Sequence, residues 1–227
     1  LLLLLSLGPT GALAQDAGEP APEAETTPEA GAEPTAPEAP VAPTTIYIGV
    51  YPVRVGDLDL RTGTASVTHY RWTRWTGASD GTALALSNGT VAACDHEYRD
   101  ETDGVLYAYY LCRARVQLQL DFHAFPFDEH EVGIEYEHAE EGSESVLFAI
   151  DEGALAHVRT PTIPGWIVDS PRYDVAMSEY QTSWGMPSVS PDEISTYPRA
   201  RMRMRIHHDI GATFFKTFLT LFISVLI

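Results

Sequence analysis

The sequence predicts an all-β fold, an immunoglobulin-like β-sandwich that runs into a truncated transmembrane α-helix. Three observations predict it. From residue 45 to residue 208, apolar and polar residues alternate with period two over long segments. Turn residues punctuate those segments, and no amphipathic helix of useful length interrupts them. The chain then closes on "FFKTFLTLFISVLI", in which every residue after Lys216 is apolar, Ser or Thr.

The first fifteen residues, "LLLLLSLGPTGALAQ", read as the apolar centre and small-residue end of a secretory signal, with Ala12-Leu13-Ala14 as the cleavage site. A buried helix is the competing reading, and Gly8-Pro9 breaks it. Residues 16–44 are Pro-, Ala-, Glu- and Thr-rich, with no aromatic and no basic residue. Such a segment buries too little apolar surface to offset the entropy of ordering it, so a disordered, acidic, extended spacer is expected. Its carboxylates carry part of the formal charge of −18. The remaining acidic excess argues against a nucleic-acid partner, which needs a basic footprint.

The strands follow in order. "TASVTHYRWTRW" alternates into Trp75. In "VLYAYYLCRARVQLQLDF", Leu106, Ala108, Tyr110, Cys112, Ala114, Val116, Leu118, Leu120 and Phe122 share one face, and Tyr107, Tyr109 and the charged residues share the other. "EVGIEYEH" turns Val132, Ile134 and Tyr136 inward, and "RYDVAMSEYQT" and "TYPRARMRMRIHH" complete the set. Between Cys94 and Cys112, "DETDG" signals a hairpin. Centring it on Asp103 pairs residues whose numbers sum to 206, which opposes Cys94 to Cys112. Two states remain open there, a cross-strand disulfide favoured by export and two free core thiols. Arg199, Arg201, Arg203 and Arg205 line one face of the last strand, and Glu131, Glu135 and Glu137 line the outer face of another. Antiparallel neighbours would pair these ladders on the outer surface, at about 0–1 kcal/mol per exposed pair, with strand register as the main consequence.

After Lys216 the apolar run is shorter than the roughly 20 residues a membrane helix needs. Residues 209–227 are therefore expected to be the start of a first membrane helix, in a fragment lacking its start and everything beyond this crossing. A buried helix of a soluble domain is the competing reading.

Four stretches then carry a resemblance. "YIGVYPVRVGDLDLRTGTASVTHYRWTRW" is similar to two opening strands and their connecting loop, and "FPFD" to a signature loop after a long strand. "GWIVDSPRYDVAMSEYQT" is similar to a Trp-led strand, and "TYPRARMRMRIHH" before "FFKTFLTLFISVLI" to a last strand entering a first membrane helix. In this order and spacing, residues 45–227 resemble the extracellular half of pentameric ligand-gated ion channels, the Cys-loop receptor family, above all its bacterial branch.

The resemblance implies a homopentamer in the bacterial inner membrane, with the sandwich in the periplasm or extracellular space. It also implies a small-molecule agonist, amine-like or a proton, bound between subunits beneath loop C. By position, Tyr180, Trp184 and Tyr197 flank the loop C candidate "GMPSVSPDEIS", with His138 and Glu140 on a nearby loop. The neighbouring subunit would add Tyr70, Tyr107 and Tyr109. A gating interface of Asp57, Phe125, Pro126, Phe127, Asp128 and His208 would relay occupancy to the membrane, Asp128 pairing with a basic group there. Four departures stand out. The loop-closing cysteines of eukaryotic members would fall near Leu118 and Val132, His208 stands where Arg is frequent, Thr220 replaces a helix Pro, and no Trp-x-Pro-Asp follows Trp75.

His130, His138, His207 and His208 show no known metal-ligand spacing. Asn88-Gly89-Thr90 is a glycosylation sequon without a use in a bacterial reading. With no phosphate loop, no nucleophile elbow and no paired-carboxylate motif, neither an enzyme nor a cofactor is expected. Two rival readings remain: a periplasmic sensory domain on one membrane anchor without a pore, and a secreted carbohydrate-binding module or enzyme. The second is disfavoured by the apolar C-terminus.

Overall fold

The computed structural model describes residues 42–226 except residues 126, 188, 189 and 191. The expected secretory signal, the spacer up to residue 41 and Pro126 therefore lie outside the described residues. The chain is all-β. Its elements are β1 (Thr44–Asp59), β2 (Thr64–Trp75), β3 (Leu84–Leu86), β4 (Gly89–Thr102), β5 (Val105–Leu120), β6 (Glu129–His138), β7 (Val146–Ile150), α1 (Glu152–Leu155), β8 (Ile167–Val168), β9 (Arg172–Gln181), β10 (Ile194–His207) and α2 (Ile210–Leu226).

The strands form one curled sheet in the order β7-β1-β2-β5-β6-β10-β8, with β4 added to β5, β3 to β6 and β9 to β10. The curl passes through β5. Its residues Leu106 to Gln117 pair with β2, whereas Leu118 to Leu120 pair with β6. One strand thus serves both halves of the sheet, and its alternation keeps the same face inward throughout. Ile46, Ile48 and Val50 of β1, Val67 of β2, Val116 of β5, Ile134 and Tyr136 of β6, and Met202, Met204 and Ile206 of β10 meet in one cluster. Each such side chain contributes about 1.5–3 kcal/mol by leaving water. Phe122 departs from expectation. It lies past the end of β5 and is half exposed, because Asp121 and His123 turn the chain out of the strand through hydrogen bonds.

The β4–β5 hairpin has a different tip from the one expected. Thr102 opposes Val105, so the turn is the two-residue pair Asp103-Gly104, both with positive φ (53° and 74°). That conformation matches the twist of the strands it joins. A register shift between Asp95 and Tyr98 then moves the pairing by one residue. Cys94 consequently opposes Cys112, and the two are joined by a disulfide with Cα atoms 4.0 Å apart. The sum of 206 holds at the cysteines because of the bulge, not because the turn centres on Asp103.

β10 runs between β6 and β9, and this changes the expected charge ladder. Arg201 lies opposite Glu135 in register, but its guanidinium turns to Asp174 of β9. Arg203 also reaches Asp174, at 2.6 Å. Arg199 pairs with Glu135 at 3.0 Å and Glu137 at 2.5 Å. The arginines are partly covered rather than fully exposed, because β9 and its acids flank them on the second side. Burial raises the Asp174 carboxyl, but hydrogen bonds from Arg201 and Arg203 outweigh it and hold the group below the ordinary range.

α2 starts shortly after His208 and has 17 residues. Among the described residues, no helix is long and apolar enough to cross a membrane. α1 is a single turn that the period-two reading did not anticipate.

Candidate functional site

Two aromatic sites emerge, on different strands. The first combines the end of β9, the loop after it and the start of β10. Tyr180 is the penultimate residue of β9, and Ser195–Tyr180 pairing places Tyr197 beside it across the ladder. Trp184 sits in the loop with φ 53°, a left-handed conformation costly for a bulky residue, and is followed by Gly185 at φ 77°. This backbone folds the indole back over the strands. The ring centroids lie 5.4 Å (Tyr180–Trp184), 5.8 Å (Tyr180–Tyr197) and 6.3 Å (Trp184–Tyr197) apart. With Ala85, Glu137, His138 and Ala139 they line a cavity of about 300 Å³.

Glu137 was not anticipated as a site residue, although its outward position on β6 was legible. Tyr180 donates its hydroxyl to Glu137, 2.9 Å from Oε2, and Arg199 donates to both partners. Burial and the Glu137 bond hold the Tyr180 phenol above its ordinary range, against the Arg199 charge. The carboxylate at this cage is therefore already neutralised by an arginine.

His138 lines the cavity but is itself buried. Its Nε2 faces the Asp80 carbonyl at 3.0 Å, and its Nδ1 accepts from the Glu141 backbone at 2.9 Å. Both ring nitrogens are engaged with backbone groups and hold two loops together. Glu140 is exposed and its carboxylate does not line the cavity. Only its backbone N–H turns to His138.

The second site is on the outer face of β1, β2 and β5. Tyr51, Tyr70, Trp72, Tyr107 and Tyr109 line a cup of about 380 Å³. Tyr51 and Trp72 were not anticipated. Register could have found them, because Tyr51 opposes Tyr70, and Trp72 opposes Tyr109. Trp72 lies against Gly49, where a Cβ would collide with the indole, and its Nε1 donates to Asp151 at 3.0 Å. Tyr98 of β4 stacks on Tyr109 at 5.7 Å.

The core joins the two sites. His69 of β2 is fully buried and hydrogen-bonds the Tyr136 hydroxyl of β6 at 2.8 Å. Burial lowers its pKa to about 4, so the imidazole is neutral in the fold, and pushes the Tyr136 phenol up to about 12. Arg71, also buried, lies over the rings of Tyr110 and Tyr136 at 4.8 and 5.1 Å. It forms no ion pair among the described residues.

Near the start of α2, the expected gating residues are only partly brought together. Asp128 is buried with His130, its Oδ2 2.7 Å from Nε2, although the approach is off the N–H direction. The carboxylate expected to pair with a basic group at the membrane helix faces His130, two residues on at the start of β6. Phe125 and Phe127 are exposed. His208 stacks on Trp166 at 3.8 Å, Trp166 meets His130 at 5.6 Å, and Phe122 meets His130 at 4.9 Å. Asp57 stands apart from this stack, at φ 46°, and accepts from Ser66 at 2.9 Å. A cavity of about 820 Å³ borders this region and is lined by mixed charges, including Asp121, Glu129 and Arg205. The aromatic sites are better candidates because each gathers three or more aromatic rings in its lining. No cluster of three His, Cys, Asp or Glu suited to a metal ion occurs among the described residues. Comparison with protein-family models and with curated protein sequences gives no match.

Proposed function

We propose that this chain is the ligand-sensing domain of a homopentameric ligand-gated ion channel of the bacterial inner membrane. On this reading the curled sheet is an immunoglobulin-like β-sandwich outside the cytoplasm, α2 begins the first membrane helix, and an amine-like agonist or a proton acts beneath the β9–β10 loop. The observation that carries it is the course of β10. One end of the strand holds Tyr197 in the three-ring cage, and the other runs through His207 into the Trp166–His208 stack and α2. Aromatic faces attract cations, and a ligand shifts a closed–open equilibrium only through different affinity for the two states. The cup residues Tyr70, Tyr107 and Tyr109 would face the cage of a neighbouring subunit.

The test is current recording from the full-length protein in planar bilayers, with n-butylamine and pH steps as probes. Trp184→Ala should raise the half-maximal concentration at least tenfold. Asp128→Asn should lower maximal current with binding retained. Absence of any current, or a Trp184→Ala response identical to the parent, would sink the proposal. Native mass spectrometry in detergent checks the pentamer, and a monomer would also count against it.

A further inference from the structure

We infer that Arg71 and Thr73, on the inward face of β2, hold a halide ion in the interior of the curled sheet. The site is separate from the cage and the cup, and it does not rest on the channel reading.

An excess of hydrogen-bond donors on one buried strand face points to it. His69, Arg71, Thr73 and Trp75 occupy successive inward positions of β2, and each is more than nine-tenths buried. His69 Nδ1, Arg71 Nε, Thr73 Oγ1 and Trp75 Nε1 are buried with no hydrogen-bond partner among the described residues. Buried polar groups are normally paired. An Arg Nε and a Trp Nε1 can only donate, and a Thr hydroxyl can donate as well. The group that satisfies this face is therefore an acceptor, whereas a cation would meet donors and a charge of its own sign.

Charge selects among acceptors. Arg71 carries a full positive charge, and an uncompensated charge in the interior is costly. The rings of Tyr110 on β5 and Tyr136 on β6 lie against its guanidinium at 4.8 and 5.1 Å, and Nη1 donates to the Leu84 carbonyl of β3 at 3.4 Å. Rings and a carbonyl attract the cation but bring no negative charge. The carboxylates of neighbouring elements are engaged elsewhere. Glu97 of β4 pairs with Arg99, Asp80 before β3 accepts from Thr82, and Glu135 and Glu137 of β6 pair with Arg199.

Size then selects among anions. Protein interiors are close-packed, so a polyatomic anion such as phosphate would have to part the strands around Arg71. A monatomic ion needs only donors at its surface. Arg71 and Thr73 are same-face neighbours about 6.6 Å apart along the strand, a spacing that one ion between their donors can bridge.

The experiment is urea unfolding of the full chain in detergent, with sodium chloride exchanged for sodium gluconate at constant ionic strength. For one site, the folding constant should rise about tenfold for each tenfold rise in chloride above its Kd. Arg71→Gln should abolish this dependence, and Thr73→Val should raise the chloride concentration needed at least threefold. Arg74→Gln, on the outward face of the same strand, should keep the parent dependence. If Arg71→Gln does not fold, Thr73→Val carries the test, together with diffraction from crystals grown in sodium bromide, where an anomalous peak should lie against Arg71 Nε. The inference is overturned if chloride and gluconate give equal stability, if Arg71→Gln or Thr73→Val keeps the parent's chloride dependence, or if bromide appears at exposed arginines only. Each of these results would leave the intersubunit reading standing, since no ring of the cage or the cup is altered.

Discussion

The two aromatic sites use the same residue types and are held in opposite ways. The cage of Tyr180, Trp184 and Tyr197 is fixed by charge. Tyr180 is tied to Glu137 and Arg199, and Trp184 itself takes a positive φ in the loop. The cup of Tyr51, Tyr70, Trp72, Tyr107 and Tyr109 is fixed by strand register and by close packing on Gly49. A site held by ion pairs responds to pH and salt, whereas one held by packing responds to volume. Preorganisation is thus the same outcome reached by two physical routes, and each route has its own weakness.

The connection between the sites gives the largest expected effect. Burial keeps the folded His69 neutral down to a pKa of about 4, against 6.5 ordinarily. Between those values the unfolded chain takes up a proton that the fold refuses. Stability is therefore full above pH 6.5 and falls as pH drops toward 4, by about 3 kcal/mol at 1.36 kcal/mol per pH unit. Urea unfolding at pH 7 and pH 4.5 measures it, and His69→Gln should flatten the slope. An unchanged slope would remove the neutral His69–Tyr136 link from the comparison.

Packing comes next. Gly49→Ala puts a methyl group where the Trp72 indole lies, so the ring must leave. Stability should fall by about 1–3 kcal/mol, as overpacking usually costs. The Trp72 fluorescence environment should change, with the cage untouched. A cup that survives Gly49→Ala would show that register alone holds it. Charge follows. Glu137→Gln leaves Arg199 with Glu135 as its remaining ion-pair partner among the described residues. Since both side chains are only partly exposed, we expect a loss of about 1–2 kcal/mol. That loss should shrink in 1 M salt, as read by unfolding at two ionic strengths. The smallest effect is Asp151→Asn. The amide can keep the Trp72 bond, so stability should change by less than about 1 kcal/mol, while Arg74 loses its ion pair. A larger loss would move the cup toward the charge-held class.

What the sequence made legible follows from where information is local. Period-two alternation places Val132, Ile134, Tyr136, Met202, Met204 and Ile206 inward, and each is buried. The three cage aromatics were legible as a group because they flank one loop. The cup was half legible. Tyr70, Tyr107 and Tyr109 stand on outward faces, but Tyr51 and Trp72 join them only through cross-strand register, and the role of Gly49 is invisible in a strand read alone. Arg71 defeats alternation in the other direction, as a charged residue on an inward face that two tyrosine rings accommodate. The pairing of Asp128 with His130 was within reach through their two-residue separation, although Asp128 lies just before β6. The partners of Arg201 were not, because Asp174 lies on a strand whose position beside β10 no local pattern reveals.

The arginines of β10 also set how that strand moves. Carboxylates from β6 grip it along one side and Asp174 from β9 grips it along the other. A slide by one residue would turn the arginines into the core and Met202 and Met204 out to water. The shortest slide that restores the pattern is two residues, about 6.6 Å at 3.3 Å per residue. Such a step would require every guanidinium to change partners at once. β10 is therefore a stiff rod with respect to translation. Backbone ladders to β6 and β9 on its two sides resist rotation about its own axis as well, so the strand moves with its neighbours. A displacement imposed at Tyr197 would therefore reach the start of α2 as a tilt of β10 together with its two neighbours, its size set by the strand's length rather than by any stretch within it.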